Sequence, residues 1–338
     1  MIQVDMSLSR AFQNKKIFHC MREHPEINFG PLKRDFLLGK IQNEGQPAGN
    51  TDILVNGSSE TMCETFILKD KNFQDWFIGF TEGYGSFLVN KEGLLEFKIT
   101  QPSVDAQILF FIKKRLGFGT VRVQDKKNQT HCFKVSNKDG LFKIISILNG
   151  NLYLESRKEQ FKLWLFAYNK LYKQEISYIE NLSKPSLDNA WLSGFTDAVG
   201  SFTCSILDNP KGGRGDFVIP LVRLKYTLWS GQNSVENFET MNHLAEILGG
   251  KTHYIESYNG YCTAINTTKL SKAIRYFKLY PLKTHKSIIY FNWYKIYKLV
   301  FAKKHLTDKG LDSIKTYKNN LNRLYKQNIN EDIVRTVM

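Results

Sequence analysis

The sequence predicts an α+β protein built from two similar halves, and three observations support this fold class. A twelve-residue pattern occurs twice, as Trp76-Phe-Ile-Gly-Phe-Thr-Glu-Gly-Tyr-Gly-Ser-Phe87 and as Trp191-Leu-Ser-Gly-Phe-Thr-Asp-Ala-Val-Gly-Ser-Phe202. Each copy is followed by the same succession of helical and strand-like patterns. The two copies start 115 residues apart, which is the length of one small domain. A repeat of this kind indicates that one unit has been duplicated within the chain.

Each half is predicted to run α-β-β-α-β-β-α and to end in a further helix. In the first half, Asn72 is the expected cap of a helix through Trp76 and Phe80. The helix between the two strand pairs begins at Ser103 and ends at Gly117, because its apolar residues recur with helical period. The predicted strands cover 85–89, 94–101, 120–126 and 130–136, and two later helices cover 141–148 and 155–172.

The second half repeats this order after a linker that contains Pro185. Its predicted strands are 200–207, 217–228, 251–257 and 261–266, and its helices are 189–199, 233–248, 270–279, 284–304 and 309–327. Residues 1–70 show no sustained periodicity and are rich in turn-forming residues, which is typical of a poorly ordered leader. The predicted divisions are a leader (1–70), a first repeat (71–180), a linker (181–189) and a second repeat (190–330).

Composition indicates a polyanionic partner, because the 338 residues carry a net charge of +15 and a pI of about 9.4. No apolar run approaches the ~20 residues that span a bilayer. Nucleic acid fits better than an anionic membrane surface, since no amphipathic basic helix stands alone as a membrane anchor would. Five cysteines without a C-x-x-C pair indicate a reduced compartment and argue against structural zinc. The abundance of Lys, Asn, Ile, Tyr and Phe is typical of AT-rich coding DNA. We therefore expect an organelle-encoded protein located in the mitochondrion or another organelle.

Alternation along the predicted strands separates an apolar face from a basic and polar one. Side chains of this kind contact phosphates and base edges. A solvated polar face is the ordinary alternative for any single antiparallel strand. Because both halves carry basic residues at matching places, we expect a nucleic-acid-binding sheet in each. The predicted contact residues on the strands are Lys98, Thr100, Arg122, Lys134, Arg223, Lys225 and Thr227.

Small residues lie four apart in both copies of the repeated pattern. They are Gly79 and Gly83 in the first copy and Gly194 and Ala198 in the second. On a helix such residues share one face and allow another backbone to approach closely. The two repeated helices are therefore expected to pack against each other and join the halves.

At this point the sequence resembles the LAGLIDADG family of intron-encoded homing endonucleases and maturases, in its single-chain form with two motifs. Phe77–Gly85 and Leu192–Gly200 fill the nine-residue motif, and the resemblance extends over about residues 72–327. The segment Pro281-Leu-Lys-Thr-His-Lys286 before an aromatic helix adds to it. The resemblance implies a pseudo-symmetric saddle whose two antiparallel sheets lie in the major groove of a long DNA site. It also implies a monomer that is an internal pseudo-dimer.

The family holds divalent metal with an acidic residue at the eighth motif position, and here those positions are Tyr84 and Val199. Valine offers no ligand atom, and a phenol with a pKa of about 10 is a poor ligand at neutral pH. Glu82 and Asp197 stand at the sixth position, about 200° around the helix from the eighth, so they are expected to bond locally near the helix ends. The sequence thus predicts no catalytic residue and no cofactor; Mg²⁺ would be needed only by an active nuclease.

Other residues near the centre follow from the resemblance. Gln101 matches a family position that is commonly polar near the cleavage centre, so it is also a predicted nucleic-acid contact; its counterpart in the second half is Leu228. Lys286 matches a basic residue that many members place near the scissile phosphates, so it too is a predicted nucleic-acid contact, with Arg157 or Lys158 as its counterpart. His131, His253 and His285 lack the spacing of metal ligands and are expected to face solvent or DNA. Lys211-Gly-Gly-Arg-Gly215 lacks P-loop spacing and is expected to be a hairpin loop that touches the nucleic-acid backbone.

These observations predict a nucleic-acid-binding protein without nuclease chemistry. It would be a maturase that binds group I intron RNA, or a degenerate endonuclease that still binds double-stranded DNA. Two alternatives stay open. One is an active homing endonuclease with displaced metal ligands, and the other is an RNA-bound structural component of a ribosomal or splicing assembly.

Overall fold

The structure is a computed structural model that describes residues 70–207, 219–229, 234–256 and 260–327. Apart from Asp70, the predicted leader lies outside these residues, as does the Lys211–Gly215 loop. The predicted limits of the two repeats stay predictions.

The first half contains the elements that its periodicity predicts, in the same order. Its helices are α1 (Lys71–Tyr84), α2 (Ala106–Leu116), α3 (Lys138–Leu148) and α4 (Glu155–Tyr172). Its strands are β1 (Gly85–Val89), β2 (Leu95–Pro102), β3 (Thr120–Asp125) and β4 (Thr130–Val135). A single 3₁₀ turn, Ser103–Asp105, precedes α2.

The second half repeats the order and extends it by a helical hairpin. Its helices are α5 (Trp191–Val199), α6 (Ser234–Leu248), α7 (Ser271–Leu279), α8 (Lys286–Phe301) and α9 (Asp308–Gln327). Its strands are β5 (Gly200–Leu207), β6 (Ile219–Trp229), β7 (Lys251–Ile255) and β8 (Gly260–Asn266).

Each half forms one four-stranded antiparallel sheet. The strand order is β1-β2-β4-β3 in the first sheet and β5-β6-β8-β7 in the second. The registers also correspond, because Gly85 pairs with Ile99 and Gly200 pairs with Tyr226. The predicted α+β class and the duplication are confirmed.

Local chemistry sets the ends of α1, with one correction to the prediction. The cap is Asp70, whose Oδ1 accepts a hydrogen bond from the N–H of Phe73 at 3.0 Å. Asn72 lies within the first turn, so its side chain cannot take the cap position. At the other end, the backbone becomes extended at Gly85 and passes directly into β1.

Burial alternates along β2 as the sequence pattern requires. Leu95, Phe97 and Ile99 lie in the core, while Lys98 and Thr100 are partly exposed. The helices α4 and α8 cover the core faces of the two sheets. Trp164 of α4 packs against Phe87 with ring centroids 5.3 Å apart, and Trp293 of α8 packs against Phe202 at 5.1 Å. The opposite sheet faces are left for other contacts.

The helix α9 covers the outer edge of the second sheet. The hydroxyl of Tyr325 donates to the carbonyl oxygen of Phe202 at 3.1 Å and accepts from its N–H at 2.8 Å. These two backbone groups lie on an edge strand, where unpaired groups would otherwise invite pairing with another chain. Within the described residues, no helix combines the length and the apolar character needed to cross a bilayer.

Candidate nucleic-acid interface and helix seam

The helices α1 and α5 pack in direct backbone contact. A Cβ at Gly79 would overlap the carbonyl oxygen of Trp191, and one at Gly194 would overlap that of Trp76. At the next level a Cβ at Gly83 would overlap the methyl group of Ala198. The small residues of both copies therefore lie where the halves meet, as their spacing predicts. We call this contact between α1 and α5 the seam.

The acidic residues at the sixth motif position cross this seam. The indole N–H of Trp76 donates to Oδ2 of Asp197 at 2.8 Å, and the indole N–H of Trp191 donates to Oε2 of Glu82 at 2.5 Å. The expectation that these carboxylates bond locally is wrong. The side chains point away from the eighth position, as helical geometry requires, but the close approach of the helices brings the other half's indole within reach.

Each carboxylate also binds the chain segment just before a long helix, α4 in the case of Glu82 and α8 in the case of Asp197. Glu82 accepts hydrogen bonds from the backbone N–H groups of Tyr153 and Leu154 at 2.7 and 2.6 Å. Asp197 accepts from the N–H of Lys283 at 2.8 Å and from the hydroxyl of Thr284 at 2.6 Å. Burial raises the pKa of Glu82 to about 7 and raises that of Asp197 as well, although the donors oppose the rise. Both acids act in the architecture of the seam.

This arrangement places a basic side chain at the carboxyl end of each seam helix. Arg157 donates to the carbonyl oxygens of Glu82, Gly83 and Gly85 at 2.7, 3.2 and 3.0 Å. Lys286 donates to those of two residues near the end of α5, Thr196 at 3.2 Å and Ala198 at 2.7 Å. Burial lowers the pKa of Lys286 to about 8. A cation at this end also complements the helix dipole.

Of the two candidate counterparts of Lys286, the structure places only Arg157 at the seam. Lys158 contacts Glu155 at 3.0 Å, Glu180 at 3.1 Å and the carbonyl oxygen of Asn181 at 2.8 Å. The reason is helical geometry, because neighbouring residues on α4 point about 100° apart.

The eighth-position residues lie beside these basic groups. Tyr84 packs edge-on against Phe80 with ring centroids 5.4 Å apart, and burial raises the pKa of its phenol. Nearby Asp105 and Asp197 raise it further by charge repulsion. Val199 packs against the core. A magnesium site needs several oxygen ligands, preferably carboxylates. The helix ends instead present a protonated phenol, an isopropyl group and two cations, so the residues here do not fit the family's metal.

No other cluster in the described part of the chain takes over this role. Nowhere in it do three His, Cys, Asp or Glu side chains come together as a metal site would require. His131 lies 2.9 Å from the hydroxyl of Ser103, through Nδ1. The backbone N–H of His285 donates to the carboxylate of Asp105 at 3.0 Å, and His253 is exposed on β7.

The sheet faces opposite the core carry matching polar residues. Lys98 pairs with Ser86 and Lys225 with Ser201, so the two lysines occupy equivalent positions. Thr100 and Thr227 are equivalent too, because they pair with Cys132 and Cys262. Arg122 is exposed opposite Cys132. The side chain of Thr227 lies outside the described part, while its backbone pairing is described.

Charge differs between the two faces. Lys134 forms an ion pair with Glu96 on the first sheet. The corresponding residues of the second sheet are Ala264 and Arg223, as the registers show. At these two positions the first sheet therefore has no net charge, and the second has the single positive charge of Arg223.

Gln101 is placed apart from the other predicted contact residues. It lies on the core face of β2 with 2% of its surface exposed, because it follows Leu95, Phe97 and Ile99 in the alternation. Its side-chain Nε2 has no hydrogen-bond partner in the described part of the chain. The pairing of Gly85 with Ile99 places Gln101 near the end of α1, and Leu228 is its equivalent by register.

Sequence reasoning missed the function of Trp76 and Trp191 in joining the halves. A signal was present, since both copies pair a tryptophan at the start with an acid six residues later. The sequence pattern does not show that the indole of each copy donates to the sixth-position carboxylate of the other copy.

Both halves of the chain match a known protein family. The model of the LAGLIDADG endonuclease family matches residues 77–168 and 192–297, which include both seam helices. The chain belongs to the LAGLIDADG endonuclease family. Its relatives include intron-encoded proteins that are named as endonucleases and one that is named as an RNA maturase.

One such relative is a probable intron-encoded endonuclease of Neurospora crassa. It is 56% identical over 315 residues, which cover 93% of this chain and 55% of the relative. The cox1 intron-2 protein of Schizosaccharomyces pombe is 29% identical over 85% of this chain and 89% of its own length. The intron-encoded RNA maturase bI4 of Saccharomyces cerevisiae is 28% identical over 65% of this chain. The chain spans only about half of the first relative and 32% of the maturase.

Solved structures confirm the fold. The LAGLIDADG meganuclease I-AabMI, bound to uncleaved DNA, aligns with a TM-score of 0.62 at 20% identity. This alignment covers 74% of the present chain and 99% of the meganuclease. The homing endonuclease I-GzeII, in complex with its DNA target, aligns with a TM-score of 0.60 over 73% of this chain and 97% of its own.

Proposed function

We propose that this protein binds nucleic acid through its two sheet faces and does not cut it. The observation that carries the proposal is the pair of helix ends at the seam. Tyr84 and Val199 stand where a metal-binding nuclease needs carboxylates, and Arg157 and Lys286 donate to the backbone oxygens beside them. Hydrolysis of a phosphodiester assisted by Mg²⁺ requires oxygen ligands that these side chains do not supply.

The proposed ligand is the RNA of the group I intron that encodes the protein, or the double-stranded DNA of its insertion site. The relative named as an RNA maturase supports the first, and the neighbours bound to DNA support the second. The cox1 intron relative supports an organelle as the place of action, with the mitochondrion as our choice. We propose that the chain acts as a monomer, because its two halves already form the pseudo-twofold seam.

Cleavage is tested with purified protein, Mg²⁺ or Mn²⁺, and a supercoiled plasmid that carries the DNA flanking the host intron. We expect salt-dependent binding and no nicking by the wild type. Nicking by the wild type would refute the proposal and favour the active endonuclease. The ligand is tested with host intron RNA against an unrelated structured RNA. Equal affinity for the two would reject the maturase function.

A gain-of-function variant tests the site itself. Tyr84→Asp with Val199→Glu restores two carboxylates, and recovered cleavage would show that the rest of the nuclease is intact. Tyr84→Asn with Val199→Gln is the matched control, because it has similar size and polarity without charge. Cleavage by the control would rule out carboxylate ligands as the missing component.

A further inference from the structure

The helical hairpin of α8 and α9 carries a large share of the positive charge. Residues 286–325 contain nine Lys and Arg residues and two Asp, a net +7 of the +15 of the whole chain. Within the described part of this hairpin one ion pair forms, between Lys315 and Asp312, with 4.0 Å between the charged atoms. Lys286 lies near Asp197 and Asp105, and the other cations of the hairpin form no ion pair with a described carboxylate, which favours a polyanionic partner.

The equivalent helix of the first half shows that such a surface is not imposed by the fold. On α4, Lys158 is paired with Glu155 and Glu180, and Lys162 with Glu159 and Glu180. Two lysines of α4 are therefore neutralised by carboxylates, whereas Lys295 and Lys298 of α8 have no carboxylate partner in the described part of the chain.

Aromatic side chains lie among the cations of α8 and α9. The ammonium group of Lys295 lies 4.3 Å from the ring centroid of Phe291 and 5.3 Å from that of Tyr317. The ammonium of Lys298 lies 5.2 Å from the ring of Tyr294. We call the surface formed by Phe291, Lys295, Lys298, Phe301 and Tyr317 the basic-aromatic stripe. Phe291 and Phe301 are 56% and 75% exposed, a large apolar area for residues left in water.

Phe291 and Lys295 of the stripe lie on the side of α8 that faces away from the sheet. Trp293 packs on the core face of the second sheet, where its indole N–H donates to the carbonyl oxygen of Thr203 at 3.2 Å. Phe291 and Lys295 are each about 200° around the helix from Trp293. A ligand on the polar sheet face and a ligand on the stripe can therefore be bound together.

We propose that the basic-aromatic stripe is a second nucleic-acid site, which binds RNA that contains unpaired bases. Lysines neutralise phosphates, and exposed phenylalanine rings stack on bases that are not already stacked in a duplex. Double-stranded DNA has no such bases to offer, so it satisfies the lysines but leaves the rings exposed. The inference goes beyond the proposed function, and it holds whether or not the sheets cut their ligand.

The test uses the full chain and labelled single-stranded poly(U), with binding measured by fluorescence anisotropy. Phe291→Ser/Lys295→Ala/Lys298→Ala is expected to weaken binding at least about tenfold, since base stacking alone is worth ~1–3 kcal/mol per base. The slope of log affinity against log salt is expected to fall by about 0.7 for each lysine removed. Thermal unfolding checks that the variant is folded.

The first half supplies a matched control. Phe166, Lys170 and Lys173 have the same spacing as Phe291, Lys295 and Lys298, and Phe166 is 69% exposed. Phe166→Ser/Lys170→Ala/Lys173→Ala is expected to leave poly(U) binding unchanged. Equal losses from both variants, or wild-type affinity in the stripe variant, would overturn the proposal. So would loss of binding to phosphatidylserine vesicles with poly(U) binding intact, because the stripe would then be a membrane contact. Plasmid cleavage is a separate measurement, so failure of either proposal can be recognised.

Discussion

The two halves of this protein are nearly alike inside and differ outside. Trp76 stacks on Phe80 with ring centroids 4.8 Å apart, and Trp191 stacks on Phe195 at the same 4.8 Å. Each indole then crosses to the acid of the other half. Close packing admits few substitutions at such positions, because changes of even one methylene affect a dense interior.

The surfaces show no such constraint. The first sheet pairs Lys134 with Glu96, whereas the second has Ala264 and Arg223 in those places. Likewise, Lys162 on the exposed side of α4 is paired with Glu159 and Glu180, whereas Lys295 and Lys298 of α8 have no carboxylate partner in the described part of the chain. Packing therefore holds the interiors of the two halves alike, while the exposed residues of the two halves differ in charge.

The largest expected effect is at the backbone contact of the seam. Gly194→Ala or Gly79→Ala should each lower the free energy of unfolding by about 3 kcal/mol, because a methyl group would overlap a main-chain carbonyl. Chemical denaturation measures both. Equal losses would support a symmetric seam. In an unconstrained helix the same change would stabilise by up to ~1 kcal/mol, so a gain would contradict the packing. Ala198→Gly is the control and should cost about 1 kcal/mol.

The next effect concerns the acids that cross the seam. Glu82→Gln should lower the free energy of unfolding by about 2 kcal/mol, because its amide N–H₂ would face an indole or backbone N–H that now donates a hydrogen bond to the carboxylate. Asp197→Asn should cost a similar amount if the two halves are equivalent here. Lower stability in only one of the two variants would show that only one of the two indole–carboxylate hydrogen bonds stabilises the seam.

Glu82 also predicts a pH dependence. Burial raises its pKa from 4.5 to about 7, so between these values the folded protein holds a proton that the unfolded chain has released. The contribution of Glu82 to the free energy of unfolding should therefore fall by about 3 kcal/mol as the pH rises from about 4.5 to about 7. In Glu82→Gln this part of the slope should be absent. An unchanged pH profile would mean that Glu82 does not titrate in this range.

The smallest expected effect separates the sheet faces. Glu96→Ala releases Lys134 and should strengthen binding of duplex DNA a few-fold, with a steeper salt dependence by up to about 0.9. Arg223→Ala should weaken it by a similar factor. Anisotropy titrations over a range of salt concentrations measure both. If the two variants change affinity in the same direction, the charge difference between the faces does not govern binding.

Most of the fold was open to sequence reasoning. The spacing of apolar residues predicted the strands and helices, as in β2, and the repeat predicted the pairing of the halves. The expectation of local bonding for Glu82 and Asp197 was wrong because their hydrogen-bond partners are distant in the sequence. Glu82 meets Trp191 and Leu154, and neither neighbour is suggested by local pattern.

The sequence by itself determined the duplicated α+β architecture, the close seam at Gly79 and Gly194, and the identity of the residues at the eighth motif position. Those properties depend on local periodicity, side-chain size and residue type, which a sequence displays directly. Tertiary structure alone decided that Glu82 and Asp197 hold the seam together, and that Arg157 rather than Lys158 caps α1. It alone brought Lys295 between the rings of Phe291 and Tyr317. Such contacts depend on the distance and angle between packed elements, which no local pattern specifies.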